Sequence, residues 1–286
     1  MNNSRREAPT TLSLRIAIQL GVEHLTGISP QPRRDAELLL LHAINQDRTY
    51  LLTHPEATLT PEQYSHYRVS LERRANHEPI QYIVGEQEFY GLKFTVTPDV
   101  LIPRPETEHL VEALLERVPH DQLIKIADIG TGSGAIAVAV THALPQAQVT
   151  ALDISPSALK IAKQNAEANK VSSRIRFLES NLLEAMQTEQ FDAIVSNPPY
   201  IADSEVLEPQ VSNYEPVSAL YAGPTGLEIY QRLIPQAHKA LKPNGWLLLE
   251  IGHGQHDAVQ HLLAAWKNVH FVSDLQGIPR VAIARK

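Results

Sequence analysis

From Ile124 to Ile251, short apolar runs rich in β-branched residues alternate with stretches of helical pattern. This alternation constrains the fold more than any other feature of the chain. Strands are expected at Ile124–Ile129, Val149–Leu152, Ile175–Leu178, Phe191–Val195 and Trp246–Ile251. Helices are expected at Ala135–Ala143, Pro156–Asn169, Leu227–Leu241 and Asp257–Trp266. Ser155-Pro156 marks one helix start clearly, a capping serine followed by a first-turn proline. Such alternation predicts a mostly parallel sheet with helices on both faces. Val269–Val272 and Arg280–Ala284 add two late strands, one of them a candidate for antiparallel pairing.

The first part of the chain reads differently. From about Thr11 to Asn76 the pattern is helical, with a leucine-rich face over Arg33–Ile44. Thr60-Pro61-Glu62-Gln63 announces a further helix, since Thr60 can cap, Pro61 suits the first turn and Gln63 can complete a capping box. A small helical bundle is the expectation. Between Gln81 and Val100 the character changes: Tyr82-Ile83-Val84 and Phe94-Thr95-Val96 are β-prone runs separated by Gly85 and Gly91, which suggests a hairpin. Two prolines in Leu101-Ile102-Pro103-Arg104-Pro105-Glu106-Thr107-Glu108 then hold the chain extended before a helix from Thr107 to Arg117. The layout is a helical domain over 1–78, a hairpin and linker over 79–106, and an α/β domain over 107–286.

Asp128-Ile129-Gly130-Thr131-Gly132-Ser133-Gly134 follows a buried-type strand and opens a helix. Glycines there let the backbone turn sharply and approach a ligand closely. About twenty residues on, Asp153 ends the next strand, where a carboxylate accepts hydrogen bonds from ribose hydroxyls in sheets of this kind. The pair points to nucleotide binding, with Asp128 and Gly130 toward the far end of the cofactor and Asp153 at its ribose. Which nucleotide stays open at this point, because Gly130, Gly132 and Ala135 also satisfy the dinucleotide-binding pattern of dehydrogenases.

Asn197-Pro198-Pro199-Tyr200 narrows the choice. It follows the strand Phe191–Val195 and so sits at its carboxyl end, where ligands bind in open α/β sheets. The prolines stiffen the loop and leave backbone carbonyls without competing donors. Together with the side-chain carbonyl of Asn197 they can accept both hydrogens of a planar –NH₂ group, and Tyr200 offers a wall for it. Orienting that nitrogen supplies proximity, and holding its protons favours the charge that develops as its lone pair is drawn off. A dehydrogenase has no use for such a clamp. Methyl transfer from S-adenosylmethionine to an amide or amino nitrogen has.

Composition bounds the alternatives. With 286 residues, 43% hydrophobic and 20% charged, the chain has apolar material for a main domain and a smaller one. The absence of cysteine excludes disulfides, zinc–thiolate sites and Cys nucleophiles. A net charge of −7 argues against a dedicated duplex-DNA binder. Arg5 and Arg6 precede an apolar stretch that Arg15 interrupts, and no small-residue cleavage site follows, so no signal peptide is expected. No run reaches the roughly 20 apolar residues a membrane span requires. A cytoplasmic protein is the expectation.

The chain resembles the peptide-chain release-factor glutamine methyltransferases over nearly its whole length. The resemblance is carried by Glu78-Pro79-Ile80-Gln81-Tyr82, Leu101 to Glu108, Asp128 to Gly134 and Ser196 to Tyr200. It continues through Glu215-Pro216 with Ala219-Leu220, Gly226-Leu227, Leu241-Lys242-Pro243 with Gly245, Glu250-Ile251-Gly252 with Gln255, and Asp274 with Arg280. It implies a Rossmann-like class I methyltransferase with a seven-stranded, mostly parallel sheet and an N-terminal helical domain. It further implies methylation of the glutamine in the Gly-Gly-Gln tripeptide of class-1 release factors, with S-adenosyl-L-homocysteine as the second product. Carried over by position, Gly130, Thr131, Gly132, Ser133, Gly134 and Asp153 would bind S-adenosyl-L-methionine, with Leu182 near the adenine. Asn197 would touch both cofactor and glutamine, and Pro198, Pro199 and Tyr200 would complete the catalytic pocket. Asn181 stands where many methyltransferases have an aspartate, and Leu182 replaces an aromatic residue found in some relatives.

Other functions remain as alternatives: a ribosomal-protein glutamine methyltransferase, a DNA or RNA amino-methyltransferase acting on a flipped base, or a non-catalytic nucleotide-binding adaptor. Arg104 and Glu106 either close the substrate pocket or form an interdomain ion pair. His253, His256 and His261 lack the i, i+4 spacing of a metal pair and read as surface residues, so no metal is expected. Trp246 and Trp266 read as packing residues. Release factors are the expected partners, without direct nucleic-acid contact, and the enzyme is expected to act as a monomer.

Overall fold

A computed structural model describes residues 12–186 and 188–286; Arg5, Arg6 and Thr11 lie outside the described residues. The chain divides into two compact units, Met1–Gly85 with Pro209–Tyr214, and Glu86–Glu208 with Glu215–Lys286. In chain order the elements are α1 Leu14–Leu25, α2 Pro32–Ile44, α3 Arg48–Thr53, α4 Pro61–Ala75, α5 Ile80–Val84, β1 Glu86–Phe89, β2 Leu92–Thr95 and α6 Glu108–Leu115. Next come β3 Ile124–Ile129, α7 Ala135–Ala143, β4 Ala147–Asp153, α8 Pro156–Ala168, β5 Ile175–Glu179, β6 Phe191–Ser196, β7 Ile201–Ala202 and α9 Pro209–Ser212. The last are α10 Val217–Leu220, β8 Tyr221–Gly223, α11 Glu228–Ala240, β9 Leu241–Glu250, α12 His256–Leu262, β10 Lys267–Ser273 and β11 Pro279–Arg285.

The helical unit is built on α1, α2 and α4. Side-chain caps define its helix starts: Ser13 for α1, Asp47 for α3, and a complete capping box between Thr60 and Gln63 for α4. Leu25, Leu39, Leu40 and Tyr67 fill its core. Leu38 of the leucine run faces outward, because four consecutive residues cannot share one helical face. A buried ion pair, Arg74 Nε to Asp35 Oδ2 at 2.6 Å, ties α4 to α2, and Ser29 donates to the same carboxylate. Tyr214 adds a hydrogen bond to the Asn76 carbonyl.

Tyr82-Ile83-Val84 is not a strand. It lies in α5, where Tyr82 and Ile83 are both buried, a pattern a half-buried strand cannot give. Gly85 ends that helix at φ +81°, a left-handed cap. The hairpin instead pairs β1 with β2 around Tyr90 and Gly91, both at positive φ as a two-residue turn of this kind requires.

In the larger unit seven strands form one sheet in the order β10-β11-β9-β6-β3-β4-β5. Pairings are parallel from β9 to β5, whereas β11 runs antiparallel to both β10 and β9. One apolar cluster covers one face, with Leu110 and Leu114 of α6 and Ile136 to Val140 of α7. A second covers the other, with Tyr230, Leu233 and Ile234 of α11 and Val259 of α12. The chain steps from β3 outward through β4 to β5, then returns to β6 on the opposite side of β3. That reversal opens a crevice at the carboxyl ends of β3 and β6, the place where sheets of this class bind ligands.

Candidate active site

The glycine turn follows β3 at this crevice. Gly130, Gly132 and Gly134 take φ of +69°, +54° and +82°. The Gly130 and Thr131 amides donate to the Leu152 carbonyl, bonding the turn to β4. Gly134 serves packing: an added Cβ would stand 3.1 Å from Ala162 of α8. At Gly130 and Gly132 a Cβ would meet nothing within 4 Å, so both border open space.

Two acids sit beneath the turn. Asp153 Oδ2 accepts from the Gly132 amide at 2.8 Å and Oδ1 from the Ser155 amide at 2.9 Å. Burial pushes its carboxyl above the ordinary value, opposed by the amides of Ser155, Gly132 and Ile154. Asp128 is fully buried; Oδ2 accepts from the Thr131 hydroxyl at 2.6 Å and the Ala137 amide at 3.1 Å. Among the described residues Oδ1 has no partner. Burial raises this carboxyl to about 7, against the two hydrogen bonds and helped by the charge of Asp153.

A cavity of about 300 Å³ lies over these groups, at the lower end of the roughly 300–1,000 Å³ typical of small-molecule sites. Gly130, Gly132, Asp153, Asn181, Leu182, Asn197, Pro198 and Pro199 all line it. Residues from four strand ends are thereby brought together. Thr131, Ser133, Gly134 and Tyr200 do not line it. Thr131 is spent on Asp128, the Ser133 carbonyl accepts from Asn165, and Gly134 faces Ala162. Asn181 Oδ1 accepts from Arg232 at 2.8 Å, and Leu182 adopts φ +54°, a conformation bulky residues rarely take.

Behind Asn197 runs a buried polar chain. Asn197 Nδ2 donates to Thr107 Oγ1 at 3.0 Å, and Thr107 Oγ1 donates to Glu250 Oε2 at 2.6 Å. The Tyr200 hydroxyl donates to Glu250 Oε1 at 3.5 Å. Glu250 ends β9 and is 2% exposed. Burial raises it to about 7, with Thr107, Arg280 and Tyr200 opposing and Glu106 reinforcing. Gln255 Nε2 donates to the Tyr200 carbonyl, and at Gly252 an added Cβ would stand 2.9 Å from the Tyr200 ring.

Sequence reasoning left several of these residues without a role. Glu250 carried the same signal as Asp153, an acid closing an apolar strand, over Leu247-Leu248-Leu249-Glu250. Asn165 gave none. From α8 it accepts from the Thr95 amide and donates to the Thr95 and Ser133 carbonyls, tying the hairpin to the glycine turn. Arg104 is ion-paired with Glu215 inside the larger unit, and Glu215 also accepts from the Ile102 amide. Glu106 is exposed. Among the described residues no group of three or more His, Cys, Asp or Glu could hold a metal ion. Nor is any described helix long and apolar enough to cross a membrane. His256 pairs with Asp257, and Trp246 and Trp266 are half-buried, Trp246 beneath the Arg285 guanidinium.

Residues 106–213 match the methyltransferase small domain, and residues 17–85 match the PrmC N-terminal domain. The release factor glutamine methyltransferase of Koribacter versatilis is 46% identical over 279 residues, 96% of this chain and 99% of that protein. The release factor glutamine methyltransferase of Geobacter sulfurreducens is 44% identical over 257 residues, 88% of this chain and 89% of that one. Among solved structures, the hMettl16 catalytic domain in complex with MAT2A 3′UTR hairpin 6 shares the fold. Its TM-score is 0.55 at 20% identity, over 75% of this chain and 81% of that one. With two such relatives matching almost end to end, the chain belongs to the release factor glutamine methyltransferase family.

Proposed function

We propose that this protein transfers a methyl group from S-adenosylmethionine to the side-chain amide nitrogen of the glutamine in the Gly-Gly-Gln tripeptide of class-1 release factors. The observation that carries the reading is the meeting of Asn197-Pro198-Pro199 with the glycine turn in one cavity at the β3/β6 crevice.

The residues present fit the cofactor. Gly130 and Gly132 border open space that side chains would fill, and the buried Asp128 Oδ1 is an acceptor without a donor. The Gly132, Ser155 and Ile154 amides take three of the about four acceptor sites of the Asp153 carboxylate, so one remains for a ribose hydroxyl. Leu182 supplies apolar contact to the adenine, and Asn181 keeps one free lone pair beside its bond to Arg232. When bound, S-adenosylmethionine supplies an electrophilic methyl and leaves as S-adenosylhomocysteine.

The chain's own task is to hold a weakly nucleophilic nitrogen. The Asn197 side-chain carbonyl and the Pro198 backbone carbonyl accept the two amide hydrogens, which aims the lone pair and favours the positive charge that grows on nitrogen. After transfer the methylated nitrogen gives up one of those protons to water. No strong base is needed before transfer, because the N-methylated amide that still carries its extra proton is highly acidic.

The helical unit is read as the docking surface for the release factor. A groove of about 630 Å³ on it is walled by Arg15, Arg33, Arg48, Ile18, Val22 and Leu52. A cytoplasmic location and action as a monomer go with this reading. The test is methyl transfer from labelled S-adenosylmethionine to a purified class-1 release factor, beside a version with the Gly-Gly-Gln glutamine replaced by alanine. Label on the first alone is the expected result; label on both, or on neither, overturns the assignment.

A further inference from the structure

We infer that Thr107 and Glu250 form a hydrogen-bond relay that fixes which end of the Asn197 amide faces the substrate, making both of them positioning residues for the transfer. The inference rests on the function proposed above and deepens it.

The relay follows from which groups carry protons. Ionised Glu250 accepts on both oxygens, from Thr107 on Oε2 and from Tyr200 on Oε1; when neutral, with its proton on Oε1, where the Tyr200 contact is the looser at 3.5 Å, its Oε2 still accepts from Thr107. The Thr107 contact, at 2.6 Å, is the shorter of the two. A hydroxyl carries a single proton, and Thr107 gives its own to Glu250. Toward Asn197, Thr107 is therefore only an acceptor, and Asn197 offers it the –NH₂ end, at 3.0 Å. The carbonyl end of the same amide is then the one left for the cavity that Asn197 lines.

That choice matters because an asparagine amide presents a donor and an acceptor of nearly equal shape. Turned the other way, it would set –NH₂ against the –NH₂ of the incoming glutamine, and the clamp would repel what it must hold. Burial makes the relay firm: Thr107 is 4% exposed and Glu250 2%, so water does not compete for these bonds. The arrangement also explains why Thr107, placed to cap α6, makes no capping bond there.

The experiment compares Thr107→Val, Thr107→Ser, Glu250→Met and the Val/Met double variant with wild type. The measurements are the Asn197 side-chain –NH₂ resonances by NMR, cofactor affinity by calorimetry, and kcat and KM for methyl transfer to a release factor. For Thr107→Val and Glu250→Met the Asn197 resonances are expected to shift. In both, kcat falls roughly tenfold or more while cofactor affinity holds. Thr107→Ser keeps the hydroxyl and both signatures. The double variant is no worse than either single one, since both cut the same chain. Unmoved Asn197 resonances in Thr107→Val and Glu250→Met, or a wild-type kcat in both, overturn the relay. Wild-type enzyme that methylates no release factor, with resonances that still respond, retains the relay and removes the substrate assignment instead.

Discussion

Asp153 closes the glycine turn through the Gly132 amide, pins the start of α8 through the Ser155 amide, and still lines the cavity. Its place could be read in the sequence because a strand-end acid about twenty residues after a glycine turn has a recurrent physical use. Its hold on the turn could not, since no spacing rule says which amide a carboxylate meets. Asp153→Ala is expected to weaken cofactor affinity by about 10- to 100-fold, the worth of hydrogen bonds to a charged group of roughly 1.5–3 kcal/mol. An unchanged calorimetric affinity would remove Asp153 from the ribose site. Glu250 is the instructive counterpart. It ends an apolar strand in the same manner, yet it is turned away from the cavity and acts on Asn197 only through Thr107. Position along a strand marks both acids alike; only the fold separates the one that lines the cavity from the one behind it.

At the scale of elements, the strands and helices of the α/β half were legible because buried parallel strands and amphipathic helices have different periods. The α5 segment was not. Tyr82-Ile83-Val84 has strand-forming residues, but Pro79 opens a helical turn in which Tyr82 and Ile83 are both buried, Ile83 in the bundle core. The true partner of β2 is Glu86-Gln87-Glu88-Phe89, whose acidic residues hide a strand lying largely exposed. Close helix packing is equally silent in sequence. Gly21 lies inside α1, where alanine would raise intrinsic helix stability by about 1 kcal/mol. The structure reverses that sign. A Cβ at this position would run into the Tyr67 hydroxyl and stand 2.9 Å from Ala36 Cβ, and Tyr67 also donates to the Ala17 carbonyl. Overpacking of this kind costs roughly 1–3 kcal/mol. Gly21→Ala is therefore expected to lower the urea midpoint of the helical unit, and an unchanged or higher midpoint would show that α1 and α4 separate at little cost.

Over the whole molecule, the electrostatics of folding are governed by two acids that the larger unit buries. Asp128 and Glu250 are both raised to about 7, chiefly by burial, whereas an unfolded chain holds such groups near 3.9 and 4.3. Between about pH 4 and pH 7 the native state therefore keeps protons that the unfolded state has released. Fewer protons on the unfolded chain means that stability falls as pH rises across this window, then levels off above it. The acids with lowered values, Glu62, Glu228 and Asp274, work in the opposite sense. Their contribution is lost only as pH falls below about 4. The slope above pH 5 thus belongs to the buried acids, Asp128 and Glu250 foremost, with Asp153 adding in the same sense. Urea midpoints measured without cofactor are expected to decline from pH 5 to pH 7.5 in wild type. They should be much flatter in an Asp128→Asn, Glu250→Gln double variant, even if that variant is less stable throughout. A wild-type midpoint independent of pH, or a slope the double variant keeps, would mean that both carboxyls titrate at ordinary values. In that case the fold would not bury them at an electrostatic cost.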